Sequence, residues 1–100
     1  MPITGELYKF SSDNVNTAPD QAGVYALFKH GDLTYIGSAT GSIRSRLRRH
    51  YNGDEGSCTQ AATQYKREVT TNPLSRETAL LNEYKDDHNG NLPDCNDVMP

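Results

Sequence analysis

The chain reads as an α+β domain, a small three-stranded antiparallel sheet flanked by helices in the order β-β-α-α-β-α. Three observations predict this. Val24, Ala26 and Phe28 alternate with Tyr25 and Leu27, as on a strand with two distinct faces. A second β-forming stretch, 33–37, follows at hairpin distance. Beyond it, Ser42 and Asn72 each open a segment with helical start signals, which gives the sheet helices to pack against.

The elements follow in order. Residues 1–18 are a polar N-terminal extension, and Ala18-Pro19-Asp20-Gln21-Ala22 is a turn that delivers the chain into the first strand, 23–28. Lys29-His30-Gly31-Asp32 is a hairpin connection with a glycine available for positive φ. Ser42 is a good N-cap for a helix over 43–51, which stops at Asn52-Gly53. A second helical stretch is expected over 58–65, and a third strand over 66–71, where Val69, Thr70 and Thr71 are β-branched. Asn72 caps a last helix with Pro73 at its first position, running to about Lys85. Residues 86–100 are read as a C-terminal loop region of the same single domain, 1–100.

One hundred residues support one domain with a modest core, and 34% hydrophobic content is that of a globular chain. No apolar run approaches the roughly 20 residues needed to span a bilayer, and no signal-like N-terminus is present, so cytoplasm is the expected location with no membrane partner. Cys58 and Cys95 lack metal-ligand spacing, which argues against zinc. Two free thiols are the reading that suits a reducing compartment, and a disulfide is the alternative.

Net charge is -3, yet its distribution is polarised. Residues 44–67 carry Arg44, Arg46, Arg48, Arg49, Lys66 and Arg67 against Asp54 and Glu55, while 68–100 are acidic. Such a basic middle can dock a phosphate backbone on an acidic protein. The candidate contacts are Arg44, Arg48, Arg49, Lys66 and Arg67. Without other motifs, a solvated arginine face is an equal reading.

Helical geometry sorts the first helix. Ile43, Leu47 and Tyr51 form a buried stripe, Arg46 and His50 lie along one border, and Arg44 and Arg48 lie along the other, more exposed one. An arginine and a histidine one turn apart can share a single anionic group, and guanidinium grips phosphate oxygens in bidentate fashion. In the last helix Glu77 projects into a stripe of Leu74, Leu80, Leu81 and Tyr84. A carboxylate there is costly unless a cation answers it. That cation is either an arginine, in a structural ion pair, or a divalent metal completed by waters and substrate phosphate. No P-loop, GxGxxG, GxSxG or HExxH occurs, which removes nucleotide binding, serine hydrolysis and zinc proteolysis as first readings.

The ordered motifs resemble the GIY-YIG nuclease family. Gly23-Val24-Tyr25 is similar to the first half of its signature and Tyr35-Ile36-Gly37 to the second, with Ser38-Ala39 as the usual continuation. The family's helical arginine falls on Arg46, within Ile43-Arg44-Ser45-Arg46-Leu47, and a histidine found in some branches falls on His50. Its metal-binding glutamate, followed by paired aliphatics, falls on Glu77 with Leu80-Leu81. Its asparagine after a Pro-x-x unit falls on Asn96, and the resemblance spans roughly Pro19 to Asn96.

The resemblance implies the GIY-YIG fold and a Mg²⁺- or Mn²⁺-dependent endonuclease that leaves 3′-hydroxyl and 5′-phosphate ends. The catalytic set would be Tyr25, Tyr35, Arg46, His50 and Glu77, with Gly23, Gly37, Ser38 and Asn96 in support. Tyr25 or Tyr35 would activate water, with His50 relaying or orienting. The implied partner is duplex or branched DNA, with little intrinsic sequence preference, so a transient homodimer or a specificity-conferring protein would complete the function. The alternative is a catalytically silent nucleic-acid-binding or structural module of the same fold, in which Glu77 and Arg46 form a core ion pair.

Overall fold

The computed structural model describes residues 2–100. Its sheet is built from β1 (Tyr8–Lys9), β2 (Gly23–Lys29), β3 (Asp32–Ala39) and β4 (Gln64–Val69), and its helices are α1 (Ser12–Asn16), α2 (Ile43–Tyr51), α3 (Ser57–Gln60) and α4 (Pro73–Asp87). The spatial order is β1-β4-β2-β3, every neighbouring pair antiparallel. The β2–β3 hairpin turns through His30 and Gly31, both at positive φ, and a register irregularity at Leu27/Phe28 interrupts its ladder.

Period-2 alternation divides the core into two layers. Tyr25, Leu27 and Tyr65 face α1 and α2, where they pack with Phe10, Val15, Ile43 and Leu47. Val24, Ala26 and Ile36 face α4, where they meet Leu80 and Leu81. The site residues are thereby delivered from both sides. Helix α2 approaches one face of the sheet, α4 the other, and β3 is the edge strand around which they meet.

Four expectations are corrected. The sheet has four strands rather than three, because the N-terminal residues are structural: Tyr8 pairs with Tyr65, Ser11 Oγ caps α1 by accepting from the Asn14 amide at 3.3 Å, and Phe10, Val15 and Ala18 enter the core. Helix α3 is a single turn, and the chain returns to the sheet at Gln64, because Tyr65 is fully buried opposite Leu27. On the helices, Tyr51 and Leu74 are exposed, whereas His50 is buried. Finally, Cys58 and Cys95 form a disulfide, with Cα atoms 5.7 Å apart across 37 residues of sequence. The C-terminal segment runs beside α3, a juxtaposition that cysteine spacing could not reveal, and the free-thiol argument for a reducing compartment falls with it. Among the described residues no helix is long and apolar enough to cross a membrane.

The edge of β3 is closed by that same segment. Cys95 donates its amide to the Thr34 carbonyl at 2.8 Å. Asn96 acts as a surrogate strand residue, its amide oxygen accepting from the Ile36 amide at 2.9 Å and its nitrogen donating to the Ile36 carbonyl at 3.0 Å.

Candidate active site

The two tripeptides stand side by side in the sheet. Tyr25 pairs with Gly37, and its ring lies over the place a side chain at 37 would occupy. A Cβ on Gly37 would stand 2.5 Å from the Tyr25 hydroxyl oxygen and 2.7 Å from Tyr35 Cε2. One on Gly23 would stand 2.3 Å from the Glu68 carbonyl oxygen and 2.6 Å from Ile43 Cδ1. Both glycines are therefore required by close approach, one of aromatic rings and one of a neighbouring strand and helix.

Three rings converge above Gly37. The centroids of Tyr25, Tyr35 and His50 are 6.1, 5.4 and 5.1 Å apart taken pairwise. His50 Nε2 and the Tyr25 hydroxyl are hydrogen-bonded at 2.8 Å, and His50 Nδ1 is 2.9 Å from Thr59 Oγ1. Tyr25 is fully buried, whereas Tyr35 is half-buried and open to the surface clefts described below. Burial pushes the Tyr25 phenol well above the usual tyrosine range, Tyr35 reinforces this, and Arg46 opposes it. Tyr35 is raised by burial as well, with Arg46 again opposing. Burial pulls His50 down to about 4, so the imidazole is neutral at neutral pH.

Arg46 reaches this cluster from α2. Its Nε is buried without a hydrogen-bond partner, leaving a charged donor free for an anion. Glu77 arrives from α4 on the other side of β3. It is 9% exposed, and Ser38 Oγ donates to its Oε1 at 2.6 Å. Among the described residues no ion pair joins Glu77 to Arg46. The two side chains instead line one open cleft of about 540 Å³, together with Tyr35, Ser38 and Ser42. An adjoining cleft of about 400 Å³ shares Tyr35 and Glu77 and adds His50, Glu55, Thr59 and Asn96.

A metal would find one buried carboxylate here and a hydroxyl beside it. Among the described residues no cluster of three or more His, Cys, Asp or Glu side chains could hold a metal. That donor set does not suit zinc, which needs three or four protein ligands. It fits a hard divalent cation such as Mg²⁺, which is commonly held by one or two carboxylates, waters and substrate phosphate.

The structure thus brings together all five residues singled out for catalysis. It disperses the five basic residues expected to contact DNA. Arg44 Nε donates to the Ala18 carbonyl at 2.8 Å and Arg48 Nε to Asn16 Oδ1 at 2.9 Å, so α1 and the turn after it orient both on one face. Arg49 pairs with Glu55 at 2.9 Å. Arg67 lies 4.3 Å over the Tyr8 ring and donates to the Tyr8 and Tyr65 hydroxyls. Lys66 is on the opposite face of the sheet, against α4 beside Glu83 and Asp87. Thr59 escaped the sequence reading altogether, since a threonine in an isolated turn carries no pattern that links it to a histidine on another helix.

The family model of the GIY-YIG catalytic domain matches residues 21–91. The chain belongs to the GIY-YIG family. Among solved structures it is similar to the GIY-YIG N-terminal endonuclease domain of UvrC from Thermotoga maritima bound to magnesium, with TM-score 0.67 and 23% identity over 85% of this chain and 93% of that one. A point mutant of the same domain, bound to its catalytic divalent cation, gives TM-score 0.67 and 21% identity over 86% and 93%. A second point mutant gives TM-score 0.61 and 20% identity over the same shares. These likenesses establish the GIY-YIG fold. No curated protein matches the chain. The site described above lies in the catalytic domain of a nuclease family.

Proposed function

We propose that this domain is a divalent-metal-dependent DNA endonuclease, with Arg46, Tyr35 and Glu77 at the reacting phosphate and Tyr25 and His50 behind them. The observation that carries the reading is the pairing of a buried carboxylate with no cation and a buried guanidinium nitrogen with no acceptor, on either side of one open cleft. Each is costly alone, and a metal-bound phosphate answers both. The core ion pair of a structural module would have satisfied them internally.

Glu77, oriented by Ser38, is the residue that would hold Mg²⁺ or Mn²⁺. When bound there, the cation supplies Lewis acidity at the phosphoryl and leaving oxygens. Arg46 neutralises the charge that grows on the phosphoryl oxygens in the transition state. Tyr35 is the phenol placed to meet a water in the cleft, and the Arg46 charge eases loss of its proton. Once the Tyr35 proton has passed to solvent in the cleft, its oxygen takes a proton from the attacking water as the O–P bond forms. The P–O bond to the 3′-oxygen breaks, and that oxygen takes a proton from solvent to leave 3′-hydroxyl and 5′-phosphate ends. The buried Tyr25–His50 pair, hydrogen-bonded at 2.8 Å, fixes the rear wall and orients the Tyr25 hydroxyl toward the cleft residues.

Duplex or branched DNA is the substrate class that an open cleft beside the Arg44–Arg48 face would accept. A single short basic face supports weak binding with little sequence preference. Tighter targeting would come from a second copy or a partner protein. The test is plasmid nicking in Mg²⁺, in Mn²⁺ and with chelator. Nicking that requires the divalent ion and vanishes in Glu77→Gln, with the fold retained, is the expected result. Undiminished nicking by Glu77→Gln would contradict it.

A further inference from the structure

Thr59 has no place in the family signature, yet its hydroxyl is the atom that meets the far side of the His50 ring. The buried imidazole carries one N–H, and each ring nitrogen has a single oxygen partner, Tyr25 Oη at 2.8 Å from Nε2 and Thr59 Oγ1 at 2.9 Å from Nδ1. Two tautomers therefore compete, and the neighbours decide between them. Arg46 sits beside the Tyr25 hydroxyl, and a guanidinium offers only donors. The Tyr25 oxygen thus accepts on that side, and its lone hydrogen has two acceptors in reach, Nε2 at 2.8 Å and the Tyr35 hydroxyl, so the tautomer of His50 decides where it points. On the other side the Gly56 carbonyl, 3.5 Å from Thr59 Oγ1, takes the threonine hydrogen and leaves the hydroxyl oxygen free to accept.

We propose that Thr59 is a positioning residue: by accepting the hydrogen bond of His50 Nδ1–H it fixes the tautomer whose Nε2 accepts the Tyr25 hydroxyl hydrogen. No proton is transferred in this arrangement. The neutral phenol donates to Nε2 at 2.8 Å, which turns its oxygen to Arg46 and holds the guanidinium at the cleft. With the opposite tautomer Nε2 is a donor, and the Tyr25 hydrogen must turn away from it. The location of Thr59 is secured by its neighbour, since Cys58 is bonded to Cys95, the residue before the Asn96 that clamps β3. The kinetic part of this inference rests on the hydrolytic reading of the cleft, and the tautomer part does not.

The experiment pairs a spectroscopic readout with a kinetic one. Two-bond nitrogen–proton correlation of ring-labelled histidine reports each tautomer, and loss of one ring system in His50→Gln identifies His50. The wild-type chain should show the Nδ1–H form, Thr59→Val should shift His50 toward the Nε2–H form, and Thr59→Ser should restore it. In plasmid nicking Thr59→Val should lower kcat by about tenfold or more at unchanged KM, with recovery in Thr59→Ser. A wild-type Nε2–H tautomer, or a Thr59→Val ring unchanged in tautomer, overturns the proposal. So does a changed tautomer with unchanged kcat. A wild-type chain that shows the expected tautomers and never nicks DNA refutes the nuclease reading and supports Thr59 as the residue that sets His50.

Discussion

His50 is 1% exposed and is held neutral by burial, with a value of about 4 against 6.5 in an open chain. The sign of its effect on stability follows. Between these limits the unfolded chain binds the proton and the folded chain does not, so stability falls as pH drops from about 6.5 to about 4 and changes no further below that. The full effect is on the order of 3 kcal/mol. Thermal denaturation from pH 7.5 to 4 should show a steeper loss of Tm in the wild type than in His50→Gln, and parallel curves would place the histidine in water. Gly37 gives a steric prediction. In Gly37→Ala the new methyl group meets the Tyr25 and Tyr35 rings at 2.5 and 2.7 Å, so the rings must part. The expected loss is roughly 1–3 kcal/mol with disruption of the Tyr25–His50 bond, measured as a lowered Tm and reduced nicking. An unchanged variant would show that the rings have room to move.

At the scale of elements, the site depends on segments whose own sequences say little. The bounds of helix α2 were legible to the residue, because Ser42 and Asn52-Gly53 mark its start and end, whereas its buried face was legible only at Ile43 and Leu47. Gly23, Tyr25, Tyr35 and Gly37 were legible because strand alternation and a known signature coincide. Strand β1 and α1 were not: two and five residues are too short for periodicity, and Tyr8 acquires its strand only by pairing with Tyr65. The burial of His50 was not legible either, since it is α3 and the C-terminal segment that cover it. The Cys58–Cys95 bond closes a loop of 37 residues, for which chain-entropy arguments give about 4 kcal/mol at most. Reduction, or Cys58→Ser with Cys95→Ser, should lower the urea midpoint and raise the m-value, because the freed unfolded chain exposes more surface. An unaltered midpoint would show that the segments stay docked without the bond.

Across the whole molecule, the exposed arginine face and the cleft are separated. Arg44 and Arg48 stand on a face set by α1 and the turn after it, the other carboxylates of α4 lie behind the sheet, and among the described residues Arg46 and Glu77 are the charged groups lining the larger cleft. DNA affinity should therefore fall steeply with salt, and Arg44→Ala and Arg48→Ala should each reduce the salt slope by about one. A slope unchanged in both variants would move the binding face elsewhere.

The most direct test of the central claim, that the cleft performs the chemistry and the outer arginines the binding, is a paired measurement of single-turnover cleavage rate and Kd on one DNA substrate. Arg46→Ala should lose about 100-fold or more in rate while its Kd changes by less than about threefold, and Arg48→Ala should weaken binding and leave the rate nearly intact. If both variants weaken binding alike and cleave bound DNA at the wild-type rate, Arg46 is part of an electrostatic patch and the cleft is not the reaction centre.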